Sequence, residues 1–248
     1  MAAGEATDEP ERDTRLLFLL LAMGVVGVAT LGLVPMERMV PEQGLPRIVF
    51  LIQPAVLTLA GAVLGWWAAP RAGLGAPVLA SLVNGRGIPT GAMRAALPVL
   101  AVAIIGTIVL FAYDWQTSEV FAATDMPDIP QPLLARLGYG GIAEEIISRW
   151  GILSLVMLGT LKLFASRAVA FWTANLVAAL VFAVGHFGLL FSLVPDPPAW
   201  LIGAVVLGNL VPGLLFGWLF GRYGLGAAML AHGGTHLLVW TTAEMLGL

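Results

Sequence analysis

Residues 141–153 read GIAEEIISRWGIL, and in them three charged side chains, Glu144, Glu145 and Arg149, interrupt an apolar stretch running from about 133 to 158. At the centre of a membrane-spanning helix a charged side chain costs about 2.5–3.5 kcal/mol even on lenient insertion scales. Three within six residues are too costly to be incidental. On a helix Glu145 and Arg149 stand at i and i+4, so they share a face and can pair. Glu144 is turned about 100° from Glu145 on an α-helix, which leaves it free to face a cavity.

The rest of the chain places this stretch in a membrane. Of 248 residues, 59% are hydrophobic and 11% charged, whereas a soluble domain carries about 25% charged residues. Such hydrophobicity also excludes a disordered chain. Net charge is -3 and the 12 basic residues are scattered singly, so nothing would neutralise a row of phosphates and no nucleic-acid partner is expected. Cysteine is absent, which removes disulfides, thiolate metal sites and a cysteine nucleophile.

A spanning helix needs roughly 20 apolar residues. On that measure the chain is an all-α polytopic bundle of seven transmembrane helices, near 15–34, 48–68, 95–113, 133–158, 169–191, 199–220 and 225–246. An eighth, re-entrant or interfacial helix would fit between 70 and 94. Residues 1–14 are acidic and poor in apolar side chains, the composition of a disordered tail, and 15–248 form the transmembrane domain. With the N-terminus inside, one side takes Arg12, Arg15, Arg71, Arg86, Arg94, Lys162, Arg167 and Arg222, and the other only Arg38, Arg47 and Arg136. The excess of basic residues on cytoplasmic loops therefore predicts a cytoplasmic N-terminus. Small residues recur every fourth position at Gly61 and Gly65, and at Gly213, Gly217 and Gly221, a spacing that lets helices approach closely within one chain or between two.

All three histidines also fall in predicted spans: His186 in the fifth, and His232 and His236, four apart and on one face, in the seventh. With the carboxylates they make a set suited to activating water. A carboxylate acts as general base, an imidazole shares the proton, and a second imidazole N–H steadies a tetrahedral oxyanion. These parts describe amide hydrolysis without a covalent intermediate. The chain lacks the Gly-x-Ser-x-Gly and Gly-x-Ser-Gly stretches of a serine nucleophile and the His-Glu-x-x-His of a zincin. Tyr113-Asp114 supplies half of an intramembrane aspartyl pair without its Gly-x-Gly-Asp partner, and Asp114 reads as a loop residue.

Glu144-Glu145-x-x-x-Arg149, then Phe182-x-x-x-His186, then His232 with a polar residue four later resembles the three-motif signature of the CPBP intramembrane proteases. That family includes type II CAAX prenyl endopeptidases and the Abi, or bacteriocin self-immunity, proteins. The resemblance covers about 133–242, the catalytic core. It implies an intramembrane endopeptidase in a bacterial inner membrane acting on a peptide or membrane-protein substrate. It further implies that Glu144 is the general base with His186 as its partner, that Glu145 and Arg149 support the site, and that His232 with residue 236 holds the oxyanion. The family usually has Asn or Asp at 236, where this chain has His.

That substitution opens an alternative. Glu144, His186, His232 and His236 together are a ligand set that zinc would accept with one position left for water. No cofactor is expected on the family pattern; zinc is the alternative. A non-catalytic immunity or scaffold protein of the same fold is a second alternative, and an ion-coupled transporter a third, because intramembrane carboxylates and histidines also mark relays. No inverted repeat supports the transporter. Oligomeric state is open. At 1.5 Å per residue Glu144 and His236 both lie about 16–17 Å into their spans, whereas His186 would lie about 25 Å into a helix starting at Val169. A fifth span entering the membrane near Thr173 or Asn175 is therefore expected.

Overall fold

A computed structural model describes residues 13–38, 44–124, 129 and 131–247. In chain order the helices are α1 (Thr14–Leu31), α2 (Val49–Arg71), α3 (Pro77–Val83), α4 (Ala96–Ala122), α5 (Leu133–Leu163), α6 (Arg167–Gly185), α7 (Phe187–Leu193), α8 (Ala199–Tyr223) and α9 (Leu225–Leu246). No strand occurs among the described residues. The expected polytopic helical bundle is borne out. Short 3-10 turns at Met36–Arg38 and Ala92–Ala95 precede α2 and α4.

Six helices are long and apolar enough to cross a membrane: α1, α2, α4 with the turn before it, α5, α6 continued by α7, and α8. The seventh expected span, α9, is a helix of 22 residues. That is about 33 Å, ample to cross. It falls short on apolar composition because it carries His232, Thr235 and His236, and these are enclosed by neighbouring helices instead of facing lipid. The segment with room for an eighth helix holds only the seven-residue α3.

Side-chain contacts fix the direction of each helix. Gly24 meets Thr58 and Gly32 meets Leu51, so α1 and α2 run antiparallel. Gly61 meets Ile146 and Gly65 meets Trp150, so α2 and α5 run parallel. Phe171, Asn175 and Ala179 of α6 meet Gly221, Gly217 and Gly213 of α8 in reversed order. The Gly213 stripe thus packs within the chain. Between α8 and α9 the chain reverses at Gly224, whose φ of +89° favours glycine, and Phe216 and His232, both eight residues from it, stack on one another. Tyr113 against Gly208, and Val120 and Phe121 beside Leu201 and Val205, set α4 antiparallel to α8.

The bundle therefore has two distinct ends. One gathers the starts of α1, α4, α6 and α9 and the finishes of α2, α5 and α8, and with them Arg15, Arg71, Arg86, Arg94, Lys162, Arg167 and Arg222. The other end holds Arg38, Arg47 and Arg136. The central helix is α5: half of its most apolar window is buried, against 22% for α2. Glycines account for that. A Cβ on Gly27 would sit 2.5 Å from the Gly138 carbonyl oxygen, one on Gly151 2.8 Å from Gly61 Cα, and one on Gly141 3.0 Å from Gly233 Cα. Backbones of α1, α2 and α9 all touch α5, the close approach that small residues permit where apolar burial alone gives helices no reason to associate.

Four sequence expectations need correction. Helix α4 continues nine residues past the expected end at 113, so Asp114 is an exposed helical residue and not part of a loop. Neither Gly nor Pro interrupts residues 114–122; Asp114, Gln116, Ser118 and Glu119 are exposed, while the buried Thr117 hydroxyl donates to the Tyr113 carbonyl, and the helix continues unbroken. Helix α6 begins at Arg167, not near Thr173 or Asn175, and it breaks at His186 instead of running on to 191. The expected tail, residues 1–14, lies outside the described residues up to 12; Asp13 caps α1 by accepting from the Leu16 N–H at 3.1 Å, and Thr14 begins the helix.

Candidate active site

Within α5 the segments Arg136–Glu144 and Ile146–Leu153 are wound as π-helix, each amide bonding to the carbonyl five residues back. Single π-turns recur at functional sites, and here the wider winding spans the whole charged segment. Glu145 and Arg149 still meet, Oε1 to Nη1 at 3.1 Å, both buried. Arg149 Nη2 also donates to the Gly213 carbonyl at 3.0 Å. Its guanidinium carbon lies 5.2 Å from the Phe182 ring centre and 5.5 Å from that of Phe216. The cation is held by a carboxylate, a carbonyl and two aromatic faces, which together offset its removal from water. Trp150, next in sequence, is a packing residue: its Nε1–H donates to the Ala62 carbonyl at 3.1 Å and its ring meets Phe220 edge-on.

Glu145 Oε1 also accepts from His232 Nδ1 at 2.9 Å. A carboxylate only accepts, so Nδ1 carries the proton and Nε2 is the nitrogen left to react. The His232 ring is stacked between Phe216, with centroids 4.6 Å apart, and His236, 4.9 Å apart. Tilt and rotation are both fixed. Its Nε2 lies 3.9 Å from Glu144 Oε2, an electrostatic contact longer than a hydrogen bond.

His186 ends α6 at φ -84° and ψ -9°, a right-handed helical conformation typical of a helix C-cap. Gly185 and Gly188 flank it, and glycines weaken the helix where it breaks. Its Nδ1 lies 2.9 Å from the Phe182 carbonyl, and a carbonyl only accepts, so here too Nε2 is the free nitrogen of the neutral ring. The Phe182 of the second motif supplies that carbonyl and stands edge-on to the imidazole at 4.8 Å.

Glu144, His186, His232 and His236 all line one cavity of about 330 Å³. It is bounded also by Arg136 and Tyr139 of α5, Tyr113 of α4, Asn209 of α8 and Thr235 of α9. All four residues expected to act are thus brought to one space from three helices, with Glu145 and Arg149 behind them. His236 lines the cavity with its ring, yet its Nδ1 is enclosed and without a partner, and its Nε2 packs where a Cβ on Gly140 would come within 2.7 Å. No three His, Asp or Glu side chains among the described residues converge as metal ligands, so the four do not form a ready zinc site in this arrangement.

Several site residues carried no signal in the sequence. Gly213 stood out only for its spacing, while its carbonyl receives Arg149. Phe216, Tyr139 and Asn209 read as ordinary helix residues because their importance lies in which neighbours they meet. Gly140, beside Gly141, is the exception that composition could have flagged: glycines at 138, 140 and 141 are costly in a helix unless another backbone needs the space.

Comparison with known proteins adds one finding. Residues 129–238 match the family model Rce1-like, described as type II CAAX prenyl endopeptidase Rce1-like. The resemblance read from the three motifs is thereby borne out over that segment, which holds every cavity residue from α5 to α9. No curated protein and no solved structure gives a match.

Proposed function

We propose that this Rce1-like membrane protein is an intramembrane endopeptidase in which Glu144 activates water. The observation that carries the reading is the shared cavity: Glu144 and His186 face the same space as His232, whose reactive nitrogen is pre-set by Glu145. Water held between Glu144 and His186 loses its proton to the carboxylate as its oxygen attacks the peptide carbonyl. His186 Nε2 accepts a hydrogen bond from that water and orients it. The proton then passes to the departing amine, which closes the cycle without a covalent enzyme intermediate.

His232 is the group placed to steady the oxyanion, on one condition. With Nδ1 committed to Glu145, Nε2 can donate only if the ring carries both protons. His236 serves as a stacking support for His232, since its Nδ1 is enclosed. Hydrolysis without metal is favoured over the zinc alternative, because the four candidate ligands do not converge.

Peptidomics of cells producing the wild-type chain or Glu144→Gln tests the reading. Peptides that appear with the wild type and vanish with the variant are expected. Identical peptide sets from the two, with Glu144→Gln still folded, would leave the immunity or scaffold alternative in its place. A multi-pass protein of the cell inner membrane with its N-terminus in the cytoplasm is the matching location, supported by six spans and by the distribution of Arg and Lys.

A further inference from the structure

The catalytic cavity is not central along the bundle, and its offset has a direction. From α5 it takes residues between Ala135 and Glu144, the first part of that helix, and Gln131 just before it. From α4 it takes Tyr113 and Phe121, and from α7 Leu193, the last parts of theirs. His186 is about 28 Å along α6 from Arg167, yet only about 10 Å from the finish of α7 at Leu193. All these positions belong to the end with three basic residues. None of the seven described basic residues at the opposite end lines the cavity.

Basic residues in short loops mark the cytoplasmic side. The connections at the basic end are all short, so the rule applies to them, and the cavity is displaced toward the other side. We propose that the substrate enters from the non-cytoplasmic face of the membrane. It is an apolar peptide segment of an exported or membrane-anchored protein, and not a soluble cytoplasmic tail. Its chemistry follows from the walls: Leu110, Phe121, Leu189, Leu190 and Leu193 are apolar, and Arg136 is the sole Arg or Lys among the residues lining the cavity. This inference rests on the endopeptidase reading for the word substrate, but the side toward which the cavity is displaced does not.

The chain contains no cysteine, so single cysteines report position without background. Gln131→Cys and Ser118→Cys place a thiol at exposed positions of the cavity end, and Lys162→Cys and Arg86→Cys at exposed positions of the basic end. In spheroplasts of a bacterial host, treated with a membrane-impermeant maleimide, the first pair is expected to label at once and the second pair only after permeabilisation. Two reporters at each end guard against a single variant that fails to fold. The reverse pattern would overturn the proposal. So would Glu144-dependent peptides derived from cytoplasmic domains, whereas peptides from exported segments support it. Labelling does not depend on cleavage: a reversed pattern leaves the endopeptidase reading intact, and a Glu144→Gln variant with unchanged peptides leaves the orientation intact.

Discussion

His232 and Glu145 are joined Nδ1 to Oε1 at 2.9 Å across α9 and α5, and Arg149 approaches the same oxygen at 3.1 Å. One carboxylate oxygen therefore fixes both the tautomer of a site histidine and the position of the buried cation. Glu145 acts behind the site, while its neighbour Glu144 faces the cavity.

The two glutamates should separate by experiment. Glu144 makes no hydrogen bond to another described residue, so Glu144→Gln should leave the melting temperature nearly unchanged and lower cleavage by about 10²–10⁴-fold, the usual share of a general base. Glu145→Gln should lower both, because it removes the counter-charge of Arg149 and the anchor of His232. Thermal melts in detergent beside cleavage rates would check this, and a Glu145→Gln protein as stable as wild type would remove the anchoring role.

Arg149→Met leaves Glu145 buried with its charge unpaired and should cost about 3–5 kcal/mol. Adding Glu145→Leu replaces the whole pair with apolar groups, which is often neutral, so the double variant should recover most of the lost stability. Cleavage should not recover with it, since His232 has lost its partner. Comparing denaturation midpoints with rates for both variants tests the split.

Glycines at the contacts between α5 and its neighbours should differ sharply from those that face open space. Gly61→Ala puts a Cβ 2.9 Å from the Ile146 carbonyl oxygen, a backbone atom that cannot step aside, and should cost about 1–3 kcal/mol. A Cβ on Gly159 or Gly203 meets nothing within 4 Å, and alanine there should be neutral or gain up to about 1 kcal/mol from helix propensity. Melting temperatures of the three variants check the contrast.

Chelation offers a direct comparison of the two hydrolytic chemistries. Dialysis of purified protein against a strong zinc chelator should leave cleavage unchanged, and added zinc should not raise it. Activity lost on chelation and restored by zinc would mean that the four candidate ligands converge in the working enzyme.

Outside the spans, the Arg47 guanidinium hydrogen-bonds both carboxylate oxygens of Glu37 and holds that carboxyl down to about 2 from its ordinary 4.5. Because the folded value is the lower one, the contact contributes fully above pH 4.5 and is lost as pH falls through about 2. In Arg47→Met the Glu37 carboxyl should titrate near its ordinary value, which carbon-13 NMR of the side chain can follow. Melting temperature should barely change, as expected of an exposed pair.

Much of this protein is legible in its sequence because the bilayer is an exacting solvent. Long apolar runs must be helices when no water is there to satisfy the backbone. Charge within such a run is costly, so Glu144, Glu145 and Arg149, and the histidines with them, identified themselves by position alone. What could not be read was where those runs meet. The break at His186, the π-winding of α5, the Gly213 carbonyl that receives Arg149, and the stacking of His232 between Phe216 and His236 all depend on pairs distant in sequence. The offset of the cavity toward one end has the same origin. Composition fixes which segments enter the membrane, whereas the contacts that orient an imidazole or a guanidinium exist only once α5, α6, α8 and α9 are packed side by side.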